Sequence, residues 1–272
     1  MVSKKDVLSE KVKQIDFDKI VTVKDLVEAY KDSSIQSRAL ATCATVYEKA
    51  LKDRSRPTVI LGLAGPLVAA GLRKVIADMV KFGIVDAIVT IGAIPYQDFY
   101  QARGYHHYKC SPHCDDLALR ELFIDRIYDT LVDEERFRET DEVIGNIAGE
   151  LEPRAYSSRE FMKVLGERIE DEGSILYNAA KYGVPVFVPA LNDSSIGIGL
   201  TGLYYKRRMA NEPFMRIDQS GTTGSLPRSR YTPTRPRSST SAAGSRRTTF
   251  SRPRSSARPW AMTRAAITMP FR

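Results

Sequence analysis

The chain has 272 residues, with 41 Lys and Arg against 33 Asp and Glu, a formal net charge of +8. All of that excess sits in the last 54 residues, which contain eleven Arg from Gln219 onward and no Lys, Asp, Glu, His, Cys, Asn or Val. Residues 1–218 are left with 30 basic and 33 acidic side chains, which excludes a basic nucleic-acid-binding body and is long enough to bury a sizeable core.

In chain order, the opening Met1-Val-Ser-Lys-Lys-Asp6 has no apolar stretch suited to export. Residues 5–52 read as mainly helical, so 1–52 is expected to form a helical segment. Residues 57–62 are a short apolar run ending at Gly62, as in a buried parallel strand. Ala64-Gly65-Pro66 makes a tight turn, with proline at the first position of a helix. The spacing then predicts a helix from Leu67, with Leu72, Val75, Ile76, Met79 and Val80 on one face, Arg73 and Lys74 off it, and Gly83 as its stop. The uncharged run 59–72 is too short to span a bilayer and contains Pro66. Residues 86–91 form the next strand, ending at Gly92, which completes a βαβ unit.

Further on, Asp125-Arg126-Ile-Tyr-Asp129 reads as a loop that ion pairing could bury, and 133–142 as a solvated, charged helix face. Ser157 and Glu160 have capping-box spacing for a helix running to about Ile169. A second helix near 174–182 ends at Gly183, and the strand 184–188 follows. Residues 189–193 are then a loop at its carboxyl end, and the glycine-spaced 194–199 leads to another element. Alternating strands and helices of this kind predict an α/β, doubly wound, mostly parallel sheet over residues 53–218.

Ligands bind such sheets beyond the carboxyl ends of the strands. Those ends carry Gly62 to Pro66, Gly92-Ala93 and Asn192-Asp193, where glycines admit a close backbone approach and helix N-termini offer N–H groups to a phosphate. All are also ordinary turn residues. The cluster 106–116 holds every histidine and two of the three cysteines. His107, Cys110, His113 and Cys114 are enough to ligate zinc, but an adjacent His113-Cys114 pair would strain to share one ion. The alternative is a polar loop near the ligand cleft, with Asp115 and Asp116 capping a helix from about Leu117. The three cysteines form no disulfide framework, and a soluble, cytoplasmic protein is expected.

Three strings resemble deoxyhypusine synthase: Gly62-x-x-x-Pro66-Leu-Val-Ala-Ala-Gly-Leu-Arg73 with Val85-Asp-Ala-Ile-Val-Thr90, Arg126-Ile-Tyr-Asp129 leading to Glu142, and Tyr182-Gly-Val-Pro-Val-Phe-Val-Pro-Ala-Leu-Asn-Asp193. The resemblance covers most of residues 20–218. It implies a Rossmann-like, tetrameric, NAD-dependent transferase that oxidises spermidine. The aminobutyl group passes to an enzyme lysine and then to a lysine of translation factor 5A. It places Ala64, Gly65 and Pro66 in the first NAD-contacting turn, Gly92 and Ala93 in the second, and Asp193 beside the cofactor. It implies polyamine and protein partners and a homo-oligomer; from run length and charge balance, no membrane is expected and nucleic acid is disfavoured as a partner.

The sequence departs from that pattern. A glutamate pair that helps hold the family's cofactor is replaced by Pro95-Tyr96-Gln97, and the aspartate that anchors a spermidine amine is Ile198. Losing that carboxylate leaves an ammonium unpaired, which points to a divergent branch acting on another polyamine or on a guanidino compound such as agmatine. The family's glycine-rich strand end, its histidine and its Trp-Gly-Lys nucleophile are absent after Asp218. Trp260 is followed by Ala261 and Met262, and no lysine follows Lys206, so no catalytic residue is assigned. Residues 219–272 are Arg-, Ser-, Thr- and Pro-rich, as in an out-of-frame read, a disordered linker, or a basic arm binding nucleic acid. The frameshift reading leaves the sheet incomplete at its C-terminus. It predicts an inactive, poorly folded chain that NAD stabilises only when the frame is restored.

Overall fold

A computed structural model describes residues 4–228, and the chain divides into two compact units after Pro57. The first unit is helical: α1 (Lys4–Val7), a 3-10 turn (Phe17–Lys19), α2 (Val23–Tyr30) and α3 (Ile35–Lys52). Thr22 and Asp25 close a reciprocal capping box at the start of α2, satisfying two N–H groups that the helix itself leaves unpaired.

The second unit is built on a parallel sheet of β1 (Ile60–Leu63), β2 (Ala87–Thr90) and β7 (Val186–Phe187), in the order β1-β2-β7. Leu63 lies abreast of Thr90, and Phe187 abreast of Val89, so the three carboxyl ends finish at one level. A π-type turn (Val68–Leu72) and α4 (Arg73–Lys81) connect β1 to β2, and α5 (Ala93–Ala102) follows β2. Ile88, Ile76, Val80, Ile94, Phe161, Leu165, Leu176 and Val186 belong to one buried cluster around this sheet. This is the mixed α/β architecture that the alternating pattern predicts.

The single helix expected from Leu67 is broken. Gly71 takes φ +87°, open to L-residues only at a cost, and the Leu72 N–H donates five residues back to Leu67 O at 3.0 Å. The kink rotates the downstream turns. Ile76 and Val80 are buried as expected, but Leu72 and Val75 face outward. Arg73, expected off the buried face, turns inward to the wholly buried Asp98 of α5. Gly83 takes a left-handed φ of +67° just beyond α4, and the Ile84 N–H reaches Met79 O, closing the helix.

Asp98 joins three helices. Its carboxylate accepts from Arg73 Nε at 2.7 Å, Ser174 Oγ at 2.8 Å, and the N–H groups of Ile175 and Leu176 at 2.9 and 2.7 Å. Those N–H groups are the free first turn of α9 (Ile175–Tyr182), where a negative charge is favoured. Arg73 Nη1 also reaches Asp171 at 2.6 Å. Burial pushes the Asp98 carboxyl up, and Arg73 together with the α9 N–H groups opposes that.

The predicted capping box is present: Ser157 and Glu160 start α8 (Ser158–Glu167). Gly183 ends α9 in the left-handed region. The segment 106–133 is more regular than a loop. β3 (Tyr108–Lys109), β5 (Thr130–Asp133) and β4 (Ile124–Ile127) form a small antiparallel sheet around α6 (Asp116–Glu121), whose N-cap is Asp115. Arg126 forks onto Asp116 at 2.6 and 2.7 Å, so the ion pair lies in a hairpin strand and stays partly exposed. α7 (Glu134–Gly149) packs on α10 (Ser195–Met209), while β6 (Ala155–Tyr156) pairs in parallel with β8 (Arg216–Ile217).

The last described element, α11 (Gln219–Arg228), begins where the composition changes. Thr222 is wholly buried there and its Oγ1 accepts from the Ser158 N–H at 2.8 Å. Residues 229–272, including Trp260-Ala261-Met262, lie outside the described residues. Among the described residues no helix is long and apolar enough to cross a membrane.

Candidate functional site

The parallel register brings the sequence-nominated residues to one edge. Ala64, Gly65 and Pro66 follow β1, Gly92 and Ala93 follow β2, and Asp193 closes the loop after β7. Gly65 takes φ +79° and has open space where a Cβ would stand. The first turn of α5 has no side-chain cap; the Ile94 N–H donates to Ile91 O at 3.3 Å and Pro95 has none, which leaves the Ala93 N–H for a ligand. Asp193 is exposed beside Ser194, the N-cap of α10. The Ala93 N–H, an open left-handed glycine and an exposed carboxylate are groups that could hold a dinucleotide, the first two toward a phosphate and the last toward a ribose hydroxyl.

Gly92 has a different role from Gly65. A Cβ there would lie 2.3 Å from Ser194 Oγ and 2.4 Å from Ser194 Cβ, so its missing side chain lets the β2 and β7 ends meet. Gly92→Ala is expected to cost about 1–3 kcal/mol in chemical denaturation. Adding Ser194→Gly should return part of that loss. If the double variant recovers nothing, the close approach is not what requires glycine.

The departures at 95–97 turn inward. Gln97 is buried, with Oε1 accepting from the Ala69 N–H at 3.2 Å, which ties α5 to the turn after β1. Tyr96 is buried against the Phe137 ring and donates to Phe137 O at 2.9 Å. Ile198 is 62% exposed on α10.

One charged residue escapes the sequence reading. The segment 133–142 is charged enough to read as a solvated face, but Asp141 lies on the inner side of α7. Its Oδ1 is buried without a hydrogen-bond partner, beside Tyr96. Burial pushes the Asp141 carboxyl up to about 6, and the neighbouring Tyr96 hydroxyl opposes this in part. The backbone is equally crowded there: a Cβ on Gly199 would come within 2.5 Å of Asp141 O. The available signal was spacing, since Phe137, Asp141, Ile144 and Ala148 recur at helical intervals.

The histidine–cysteine cluster does not assemble as one site. His107 turns to Gln101, its Nδ1 2.8 Å from the amide nitrogen, while the Cys110 thiol faces Cys114. Partial burial and the contact with Cys114 push the Cys110 thiol up. Among the described residues, no three His, Cys, Asp or Glu side chains gather as a metal ion would need.

The family model for deoxyhypusine synthase matches residues 25–224, continuing past Asp218 into α11. A deoxyhypusine synthase-like protein of Chlorobaculum parvum is 46% identical over 198 residues, covering 71% of this chain and 56% of the relative. Another, of Caulobacter vibrioides, is 38% identical over 221 residues, covering 79% and 60%. The chain thus spans little more than half the length of these curated relatives. A crystal structure from Entamoeba histolytica assigned to deoxyhypusine synthase superposes with a TM-score of 0.58 at 20% identity, covering 80% of this chain and 74% of the other. At that identity, the likeness is one of fold.

Proposed function

Since this chain belongs to the deoxyhypusine synthase family, we propose that it carries the cofactor-contacting part of an NAD-dependent, polyamine-using transferase. The observation that carries this reading is the shared level of the β1, β2 and β7 carboxyl ends, which places Ala64–Pro66, Gly92–Ala93 and Asp193 side by side. In this reading Gly65 and the Ala93 N–H receive the dinucleotide's phosphates, and Asp193 accepts from a ribose hydroxyl. NAD, when bound, supplies an acceptor for hydride from the amine-bearing carbon of spermidine. The aminobutyl group is then destined for a lysine, on translation factor 5A by family analogy. Residues 207–272 contain no lysine, so the enzyme nucleophile is not proposed to come from this segment. Ile198 offers no carboxylate to an ammonium, which keeps another amine, such as agmatine, as the alternative donor to spermidine. The family also implies a cytoplasmic homo-oligomer.

The test joins residues 1–218 to the remaining segment of the Chlorobaculum parvum relative and follows NAD by its effect on thermal unfolding. NAD should stabilise the chimera, and leave the present chain unchanged. Gly65→Asp in the chimera should weaken NAD more than tenfold while leaving the melting temperature without ligand nearly unchanged, because Asp tolerates a left-handed φ. Undiminished NAD binding by that variant would remove the strand-end site from consideration. Spermidine, putrescine and agmatine offered to the chimera would then identify the donor amine.

A further inference from the structure

Two cysteines flank one short loop of the small antiparallel sheet. Cys110 directly follows β3, and its N–H donates to Asp129 O at 2.9 Å, which carries the β3–β5 ladder one residue further. Cys114 directly precedes Asp115, the N-cap of α6. Between them, Ser111-Pro112-His113-Cys114 folds back as a hydrogen-bonded turn. The Cys114 N–H donates to Ser111 O at 3.3 Å and the His113 N–H to Ser111 Oγ at 3.2 Å, with proline at the position whose φ it presets. The turn brings the Cys110 thiol against Cys114. Free cysteines that serve packing are usually sealed in a core, whereas both of these are partly exposed.

Arg126 braces the loop from the neighbouring strand. Its Nη1 donates to Pro112 O at 3.4 Å, inside the loop, and its fork holds Asp116 just beyond it. The guanidinium also acts on both sulfurs, and a nearby positive charge favours the thiolate, the form that reacts. Burial and Cys114 push the Cys110 thiol up against that, so Cys110 keeps its proton longer and serves Cys114 as a donor. Two exposed thiols in contact, across a turn already closed by hydrogen bonds, need little movement to join.

We propose that Cys110 and Cys114 form a modification site, oxidised reversibly to an intramolecular disulfide by a small disulfide of the glutathione class. One cysteine thiolate attacks a sulfur of the small disulfide, releasing one small thiol and leaving a mixed disulfide. The second cysteine then displaces the other small thiol, and the Cys110–Cys114 bond closes. Two electrons pass from the cysteine sulfurs to the small disulfide, and the two cysteine protons end on the released thiols. Excess small thiol reverses the exchange, as in transient redox-responsive pairs rather than structural disulfides. The bond ties the end of β3 to the start of α6. The proposal does not rest on the NAD reading, since none of its residues takes part in that site.

Trypsin cuts after Lys109 and Arg120, so a single peptide, 110–120, carries both cysteines and excludes Cys43. The test exposes the reduced full chain to oxidised glutathione near neutral pH, alkylates the remaining thiols, and weighs this peptide. It should take up no alkyl group, lie about 2 Da below its reduced mass, and exceed its glutathione adduct at least about tenfold. Cys110→Ser and Cys114→Ser should each leave the remaining cysteine as a glutathione adduct that does not resolve. The wild-type chain unfolded in urea should lose most of the preference for closure. Two alkylated thiols in the folded wild type, adducts as abundant there as in the serine variants, or equal closure in urea would each overturn the proposal.

Discussion

Arg73→Ala is expected to destabilise the chain by about 3–5 kcal/mol, the cost of leaving a buried charge without its partner. Asp98 has no exposed surface, and of the groups around it only Arg73 carries compensating charge. The alanine also releases Asp171 and opens a void beside α4. Arg73→Ala combined with Asp98→Asn should be less damaging than Arg73→Ala alone, because the amide oxygen still accepts from one of the two α9 N–H groups and no uncompensated charge remains. Urea unfolding of the two variants and the wild type measures this directly. Equal losses in the single and double variants would mean that packing, not charge, holds the three helices.

The second large effect is in pH dependence, where two part-buried groups oppose each other. Asp141 has a folded value of about 6, above its ordinary 3.8, so across that window the native state keeps a proton that the unfolded state has released. Its contribution makes stability fall as pH rises. His107 has a folded value of about 4, below its ordinary 6.5, so the unfolded state holds the extra proton and stability rises with pH. Between pH 4 and 6 the two slopes largely cancel. Asp141→Asn should therefore expose a stability that climbs with pH, and His107→Gln one that declines. Each differential should reach about 1–2 kcal/mol across the window after allowance for partial exposure. Asp141→Asn should also be more stable than wild type at pH 7. Other carboxylates add the same background to all three proteins, so the differences between their unfolding free energies isolate the pair. Parallel profiles would sink the assignment.

Local signals in the sequence were reliable where one residue type answers one backbone need. Ser157 with Glu160, Ser174, Gly183 and Gly83 mark helix ends because caps and left-handed turns have few chemical solutions. The strand-end residues were legible for the same reason, since their place follows from alternation alone. What sequence could not supply was partnership across distance. Arg73 lies off the apolar face by spacing, but a buried acceptor on α5 reverses its fate. Asp141 sits in a charged run, and its burial is decided by Gly145 and Gly199, which let α7 and α10 approach closely. The pairing of β6 with β8 joins two-residue strands some sixty positions apart, too short to carry a periodic pattern. The change of composition at Gln219 is sharp in the sequence, yet a helix begins there, runs to Arg228 and seals Thr222 against α8.

β1 has a consequence for handling the protein. Among the described residues it pairs with β2 on one side only, and Ile60 on it is 58% exposed. A strand that presents a row of unpaired amide and carbonyl groups, without a charge or proline to blunt it, is a template for a strand from another molecule. Losses on concentration would therefore begin at this margin while the helical core stays intact, as self-association that grows with protein concentration before any unfolding is detectable.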